Sequence, residues 1–304
     1  MSKRDGKIKK DFKAHWPLYL IVSPVIIYFL IFNYAPMGGI VMAFQNYNIR
    51  AGIRGSEFVG LRHFTEFFGS FQFQRVMRNT FLLSFYDLLV NFPAPIIFAL
   101  LMNELRHLRF KRVIQTISYM PFFISMVVIA GLIMDFFSSS GAMTLLISRL
   151  GGPSGNLMGQ ARLFRPIFVG TNLWQTIGFS SIIYMAALAG IDQEQYEAAT
   201  IDGAGRLKQT WYITLPGIAP TIIILLILRI GQLLTVNFER VLLLYSPATY
   251  ETADVISTFV FRRGLLDFDF SFATAVGLFN SIVALTLILT ANFAARKTTE
   301  TSLF

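Results

Sequence analysis

The stretch GIDQEQYEAATIDGAGRLKQTWYITLPGIAP, residues 190–220, is a polar island between two apolar runs, and its reading decides the fold. Asp192 followed three residues later by Gln195 reads as a capping-box-like helix start. Glu194 and Glu197 add negative charge to the first turns, where the helix dipole favours it. This helix is expected to stop at Gly203, a residue that takes the left-handed conformation at no steric cost, with Gly205 as a second small residue at the corner. A second helix is expected from Arg206, carrying Trp211, Tyr212 and Ile213 as an apolar patch, and Pro216 is placed to start the run that follows. Two short helices meeting at a glycine corner offer charge and aromatic surface together. On these signals alone the segment is either a docking element for a partner or an amphipathic connector between two longer helices.

Outward from the island lie apolar runs at 166–190 and 215–236, and beyond them at 18–44, 80–102, 113–137 and 272–295. A bilayer core about 30 Å thick needs roughly 20 residues of helix, and all six runs meet or approach that length. The expected fold class is therefore an all-α integral membrane protein with six transmembrane helices. Asn33, Tyr34, Pro36 and the Gly38-Gly39 pair interrupt the first run and are expected to kink it. Pro93 and Pro95 in the second run and Pro121 in the third are tolerable where neighbouring helices satisfy the freed carbonyls. Composition agrees: of 304 residues, 54% are hydrophobic and 14% charged, against roughly 25% charged in a soluble domain, which excludes an ordinary soluble enzyme. The absence of cysteine excludes a disulfide-stapled domain and any thiolate metal site. A net charge of +9 would suggest nucleic acid in a soluble protein; here membrane topology accounts for it, and no nucleic-acid partner is expected.

With both termini inside, the inner segments (1–17, 103–112, 191–214, 296–304) hold 14 Lys and Arg in 60 residues. The outer ones (45–79, 138–165, 237–271) hold 11 in 98, so the positive-inside rule favours N-in and C-in. The chain then divides into a cytoplasmic N-terminal tail (1–17), a six-span unit (18–295) with its cytoplasmic loop at 191–214, and a cytoplasmic C-terminal tail (296–304). The outer loops are long for hairpin connections, and 45–79 is rich in Phe and Tyr, so they are expected to form folded caps.

Glu197-Ala198-Ala199, then Asp202-Gly203-Ala204, then Ile213-x-Leu215-Pro216 and Pro220 resemble the EAA loop of permease subunits in binding-protein-dependent ATP-binding-cassette importers. The surrounding spans are similar to the maltose-type sugar permease family along nearly the whole chain. The resemblance implies a multi-pass subunit of the plasma (inner) membrane that forms a translocation pathway with a second, homologous permease. It implies a coupling helix in which Glu197, Ala198, Ala199, Asp202 and Gly203 dock on one of two ATPase subunits, and an extracytoplasmic solute-binding protein on the outer loops. Trp211-Tyr212 departs from the single Phe of many relatives. Segments 33–39 (NYAPMGG) and 236–247 (VNFERVLLLYSP) look closest to the branch that imports acidic oligosaccharides such as alginate and pectin fragments. A permease for neutral oligosaccharides is the alternative within the family, and a secondary transporter the rival outside it.

No catalytic constellation is visible. His15, His63 and His107 fall in three separate segments, and no G-x-x-x-x-G-K-S/T phosphate loop is present. The chain is expected to be non-catalytic and free of cofactors, with ATP-Mg bound and hydrolysed by the partner ATPases. Ionisable residues inside spans cost at least about 2.5–3.5 kcal/mol at the bilayer centre and so tend to face a cavity or a partner. Asp87 and Arg229 are two such residues, each about seven positions from the expected outer end of its helix, hence at similar depth. They suit a structural ion pair, a substrate contact by Arg229, or snorkelling of Arg229 to the interface. Gln232, Asn237 and Glu239 follow Arg229, and Asn172, Trp174, Gln175 and Thr176 lie at comparable depth in the fourth span. Amides and aromatic rings of this kind suit sugars, and a cavity-facing Arg229 suits a uronate carboxylate; each is also a common helix–helix contact.

Overall fold

The computed structural model of the chain describes residues 2–234 and 236–299, with side chains over 14–234 and 236–297. Met1 and residues 300–304 of the two expected tails lie outside the described residues, as does Thr235 near the end of the fifth expected span. Helix α1 (Ser2–Phe29) is kinked at His15, shortly before Pro17, whose ring disfavours a continuous helix. Ahead of Pro36 the helix loosens to a π-turn at Leu30–Tyr34, then tightens to a 3₁₀ turn at Gly38–Phe44, so the interruption expected around residues 33–39 is real. A two-stranded antiparallel ladder, β1 (Gln45–Asn46) with β2 (Glu57–Phe58), follows; it is a small departure from the all-α expectation.

After α2 (Arg62–Gly69), helix α3 (Phe71–Asn91) starts nine residues before the expected span, because Ser70 caps it by accepting the Phe73 N–H at 3.2 Å. Its first two turns carry Gln72, Gln74, Arg75 and Arg78, so hydropathy alone hides them. Pro93 opens α4 (Pro93–Glu104), and α3 and α4 together form one candidate span.

The expectation of a single helix over 113–137 is wrong. Helix α5 (Leu108–Tyr119) runs through a 3₁₀ turn containing Pro121, while Ile124 and Ser125 are extended. Ser125 caps a new helix, α6 (Met126–Phe136), at 100° to the first arm. Proline removes a ladder hydrogen bond and the serine rewards a fresh start, so the chain breaks there.

After α7 (Ala142–Arg149), the long α8 (Ala161–Ala189) meets α9 (Gln193–Ile201) at 70°. Helix α10 (Arg206–Gln209) leads through a π-turn into α11 (Leu215–Gly231), which ends five residues earlier than expected. Three short helices follow, α12 (Phe238–Leu244), α13 (Tyr250–Ala253) and α14 (Ile256–Phe261), before α15 (Phe270–Thr299). Among the described residues, four continuous stretches are long and apolar enough to cross a membrane, and up to six if each bent pair counts as one span.

Helix α8 is the hub, packed against α3, α4, α5 and α11. It approaches α5 so closely that a Cβ on Gly178 would fall on the carbonyl of Ser118. At the end of the molecule that carries α12–α14, Leu83, Ile129, Phe164, Phe168, Val241 and Val255 form one core, which holds the 138–165 and 237–271 connections as folded caps. Buried Asp254 reinforces it by accepting from Arg262 at 2.7 and 2.8 Å and from Arg75 at 3.2 Å. At the opposite end, Ile96, Ala99, Tyr184, Leu188, Ile191 and Ile218 clamp α4, α8 and α11 where the 190–220 segment begins and ends.

Candidate functional site

Two features stand out, and the first is the glycine corner. The Asp192 carboxylate accepts the Glu194 N–H at 3.0 Å and starts α9. The helix closes with Ala204 N–H donating to Ala199 O at 2.8 Å, and Gly203 takes φ = 75°, the left-handed value expected of it. Gln209 Nε2 donates across the corner to Thr200 Oγ1 at 2.9 Å and to Ala204 O at 3.0 Å, pinning α10 to α9. Tyr196 Oη lies 3.0 Å from Thr214 Oγ1, and Arg206 pairs with Glu104 at 3.1 Å. The corner is thus braced to α4 and to the start of α11. Glu197, Ala198, Asp202 and Gly203 are exposed and Ala199 is half-buried, flanked by Ile201 and Leu207, which are 86% and 78% exposed. Trp211 and Tyr212 are also exposed. Gln209, Tyr196 and Glu104 went unnoticed in the sequence because their partners lie across a turn or on another helix.

The second feature is a cavity of about 700 Å³ between α3, α8 and α11, within the roughly 300–1,000 Å³ of small-molecule sites. Asp87, Asn172, Thr176, Arg229, Gln232 and Asn237 all line it, with Ser84, Asn91 and Ser180 as further polar members. Toward the α9 end of α8 the lining turns aromatic and aliphatic, with Phe92, Phe179, Ile183, Tyr184 and Leu225. Asp87 and Arg229 form an ion pair at 2.6 Å. The other carboxylate oxygen of Asp87 accepts from Asn172 at 2.6 Å and from Asn91 at 2.8 Å. Asp87 is only 14% exposed against 42% for Arg229, so the guanidinium is the member of the pair that faces open space.

The structure separates the remaining candidates from this cavity. Trp174, two positions past Asn172 and so about 200° around α8, points away and is half-exposed. Gln175 is buried behind the wall, where its Oε1 accepts from Arg240. Glu239 lies in the first turn of α12 and does not line the cavity. Asn237 lines it, and also caps α12 by accepting the Arg240 N–H at 3.2 Å.

Arg240 is the group that sequence reasoning missed. It is completely buried, donates to Gln175 and to Thr171 Oγ1 at 3.3 Å, and lies 5.8 Å from the centre of the Phe168 ring. Burial pulls its guanidinium down to about 10, opposed by the Asp87 carboxylate, so it remains cationic at neutral pH. A lone arginine ahead of the apolar run Val241–Leu244 was the available signal, masked by the neighbouring Glu239 that suggested an exposed turn.

Comparison with known proteins places the chain in a family. Residues 91–298 match the family described as binding-protein-dependent transport system inner membrane component. The chain is 44% identical to Protein LplB of Bacillus subtilis (strain 168), over 94% of this chain and 91% of that protein. It is 43% identical to the polygalacturonan/rhamnogalacturonan transport system permease protein YteP of the same organism, over 94% of this chain and 90% of that one. Among solved structures it superposes with a TM-score of 0.89 at 44% identity, covering 97% of this chain and 99% of the other. That structure is a bacterial alginate ABC transporter in complex with an alginate pentasaccharide-bound periplasmic protein.

Proposed function

Since the chain belongs to the family of binding-protein-dependent transport system inner membrane components, we propose that it is one permease subunit of an ATP-binding-cassette importer for acidic oligosaccharides. As a member of that family it is a non-catalytic component of the inner membrane. A second, homologous permease completes the pathway, two ATPase subunits bind and hydrolyse ATP-Mg, and an extracytoplasmic binding protein delivers the sugar. Each bent helix pair contributes to one span, giving six within 18–295, with both termini and the 191–214 loop on the cytoplasmic side. Glu197, Ala198, Ala199, Asp202 and Gly203 dock on an ATPase. Closure of the two ATPases moves the braced corner, and with it α4 and α11, so that the cavity between α3, α8 and α11 alternates between the two sides of the membrane.

The observation that carries the acidic reading is the half-exposed Arg229 guanidinium facing a polar-mouthed cavity. A carboxylate on the sugar finds there a charge-assisted donor, flanked by the amides of Asn172, Gln232 and Asn237 for the hydroxyls. The relatives support the same chemistry, since polygalacturonan and alginate are both polyuronates. The test is uptake by the assembled transporter in proteoliposomes of a uronate oligosaccharide and of its carboxyl-reduced analogue. Arg229→Gln is expected to lower acidic uptake on the order of tenfold, the equivalent of one charge-assisted hydrogen bond, and to spare the reduced sugar. Acidic uptake equal to that of the parent would overturn the acidic reading and favour neutral oligosaccharides.

A further inference from the structure

We infer that Arg240 is a specificity-determining positioning residue: its buried charge behind the cavity wall offsets Asp87, so that Arg229 can exchange Asp87 for a carboxylate of the substrate. The inference rests on the acidic reading above and adds to it a residue that never touches the sugar.

In this structure Arg229 already has a carboxylate partner, Asp87 at 2.6 Å. A substrate carboxylate that takes over Arg229 leaves Asp87 as a nearly buried anion facing a second anion, an arrangement that by itself opposes binding. Asn172 and Asn91 keep one Asp87 oxygen supplied, but amides carry no net charge. Arg240 does. It is fully buried, makes no ion pair among the described residues, and is held by Thr171 and Gln175, which flank the Asn172 that binds Asp87. Its Nε has no hydrogen-bond partner among the described residues. A buried cation without a counterion is costly, so its charge calls for an anion nearby. Counted together, Arg229, Arg240 and Asp87 leave the wall with a net charge of +1. One carboxylate neutralises it, with Arg229 bonded to the substrate and Arg240 left to balance Asp87.

The charge count is testable in the assembled transporter, by the KM and kcat of uptake of a uronate oligosaccharide in proteoliposomes. Arg240→Gln brings the wall to zero and is expected to raise KM about tenfold with little change in kcat, while Arg240→Lys keeps most of the parental KM. Adding Asp87→Asn to Arg240→Gln restores the +1 count and is expected to recover most of the loss. Asp87→Asn alone brings the wall to +2 and is expected to lower KM severalfold, with a steeper dependence on salt; this arm stands even if Arg240→Gln fails to assemble. A structural role for Arg240 would lower kcat or assembly and would not be rescued by Asp87→Asn. No rescue, or an unchanged or raised KM in Asp87→Asn, overturns the inference. If Arg229→Gln leaves acidic uptake untouched, the acidic reading itself falls; if Arg229→Gln impairs acidic uptake and the Asp87 and Arg240 variants break the charge count, only the exchange falls.

Discussion

At Gly203 one residue sets the geometry of the whole corner. Its φ of 75° is reached by glycine freely and by asparagine at modest cost, whereas a β-branched residue pays about 1–2 kcal/mol or more. A Cβ there would meet no neighbouring atom within 4 Å, so conformation alone separates the substitutions. Gly203→Asn is expected to keep more than half of the substrate-stimulated ATPase activity of the assembled transporter, and Gly203→Val to lose most of it. Equal activities would show that the corner does not depend on its left-handed residue. This position was legible in the sequence because the information is local: a cap, a helix of nine residues and a glycine. The Asp87–Arg229 pair was half legible, since equal depth brought the two together as one option among three. Arg240 was not legible, because its partners Thr171 and Gln175 are about 70 residues away and a single sequence does not show which helix faces α12.

Among the elements, the existence of the apolar helices was readable and their ends and breaks were not. Hydropathy sees the lipid-facing part of α3 but not the two polar turns that extend it outward, and it sees one run over 113–137 where Pro121 and the Ser125 cap make two helices. The crossing of α5 and α8 was equally hidden, because glycine in a membrane helix carries no hydropathy signal that tells contact from filler. Gly178 and Gly170 lie on the same helix, one buried and one exposed: a Cβ at Gly178 overlaps the Ser118 backbone, and a Cβ at Gly170 meets nothing within 4 Å. Gly178→Ala is therefore expected to destabilise by about 1–3 kcal/mol, the usual cost of overpacking, and to lower the thermal unfolding midpoint of the detergent-solubilised protein. Gly170→Ala is expected to leave the midpoint unchanged or to raise it, since alanine is the better helix former. A midpoint for Gly178→Ala no lower than that for Gly170→Ala would mean that the two helices do not approach as described.

For the whole molecule, the proposed function rests on two features that lie on opposite sides of the hydrophobic clamp formed by Ile96, Ala99, Tyr184, Leu188, Ile191 and Ile218. The cavity lies between α3, α8 and α11, the exposed corner lies beyond Ile191 and Ile218, and α11 runs from one to the other. The first apolar stretch, Ala14–Phe44, buries none of its apolar window and docks on the rest of the chain through Gly38–Phe44 against α15. That leaves most of its surface open to lipid or, on the proposed function, to a second permease. The proposed function needs the corner to face the ATPases and the caps the binding protein, the orientation that the positive-inside rule favours. The chain offers a direct test because it contains no cysteine, so any introduced thiol is the sole one. In intact cells or right-side-out vesicles, a membrane-impermeant maleimide is expected to label Ser154→Cys, in the exposed 138–165 connection, without permeabilisation. Ala198→Cys, exposed beside the glycine corner, is expected to react only after the membrane is opened. Labelling of both positions from outside, or the reverse order, would overturn the N-in, C-in topology and detach the corner from any cytoplasmic ATPase.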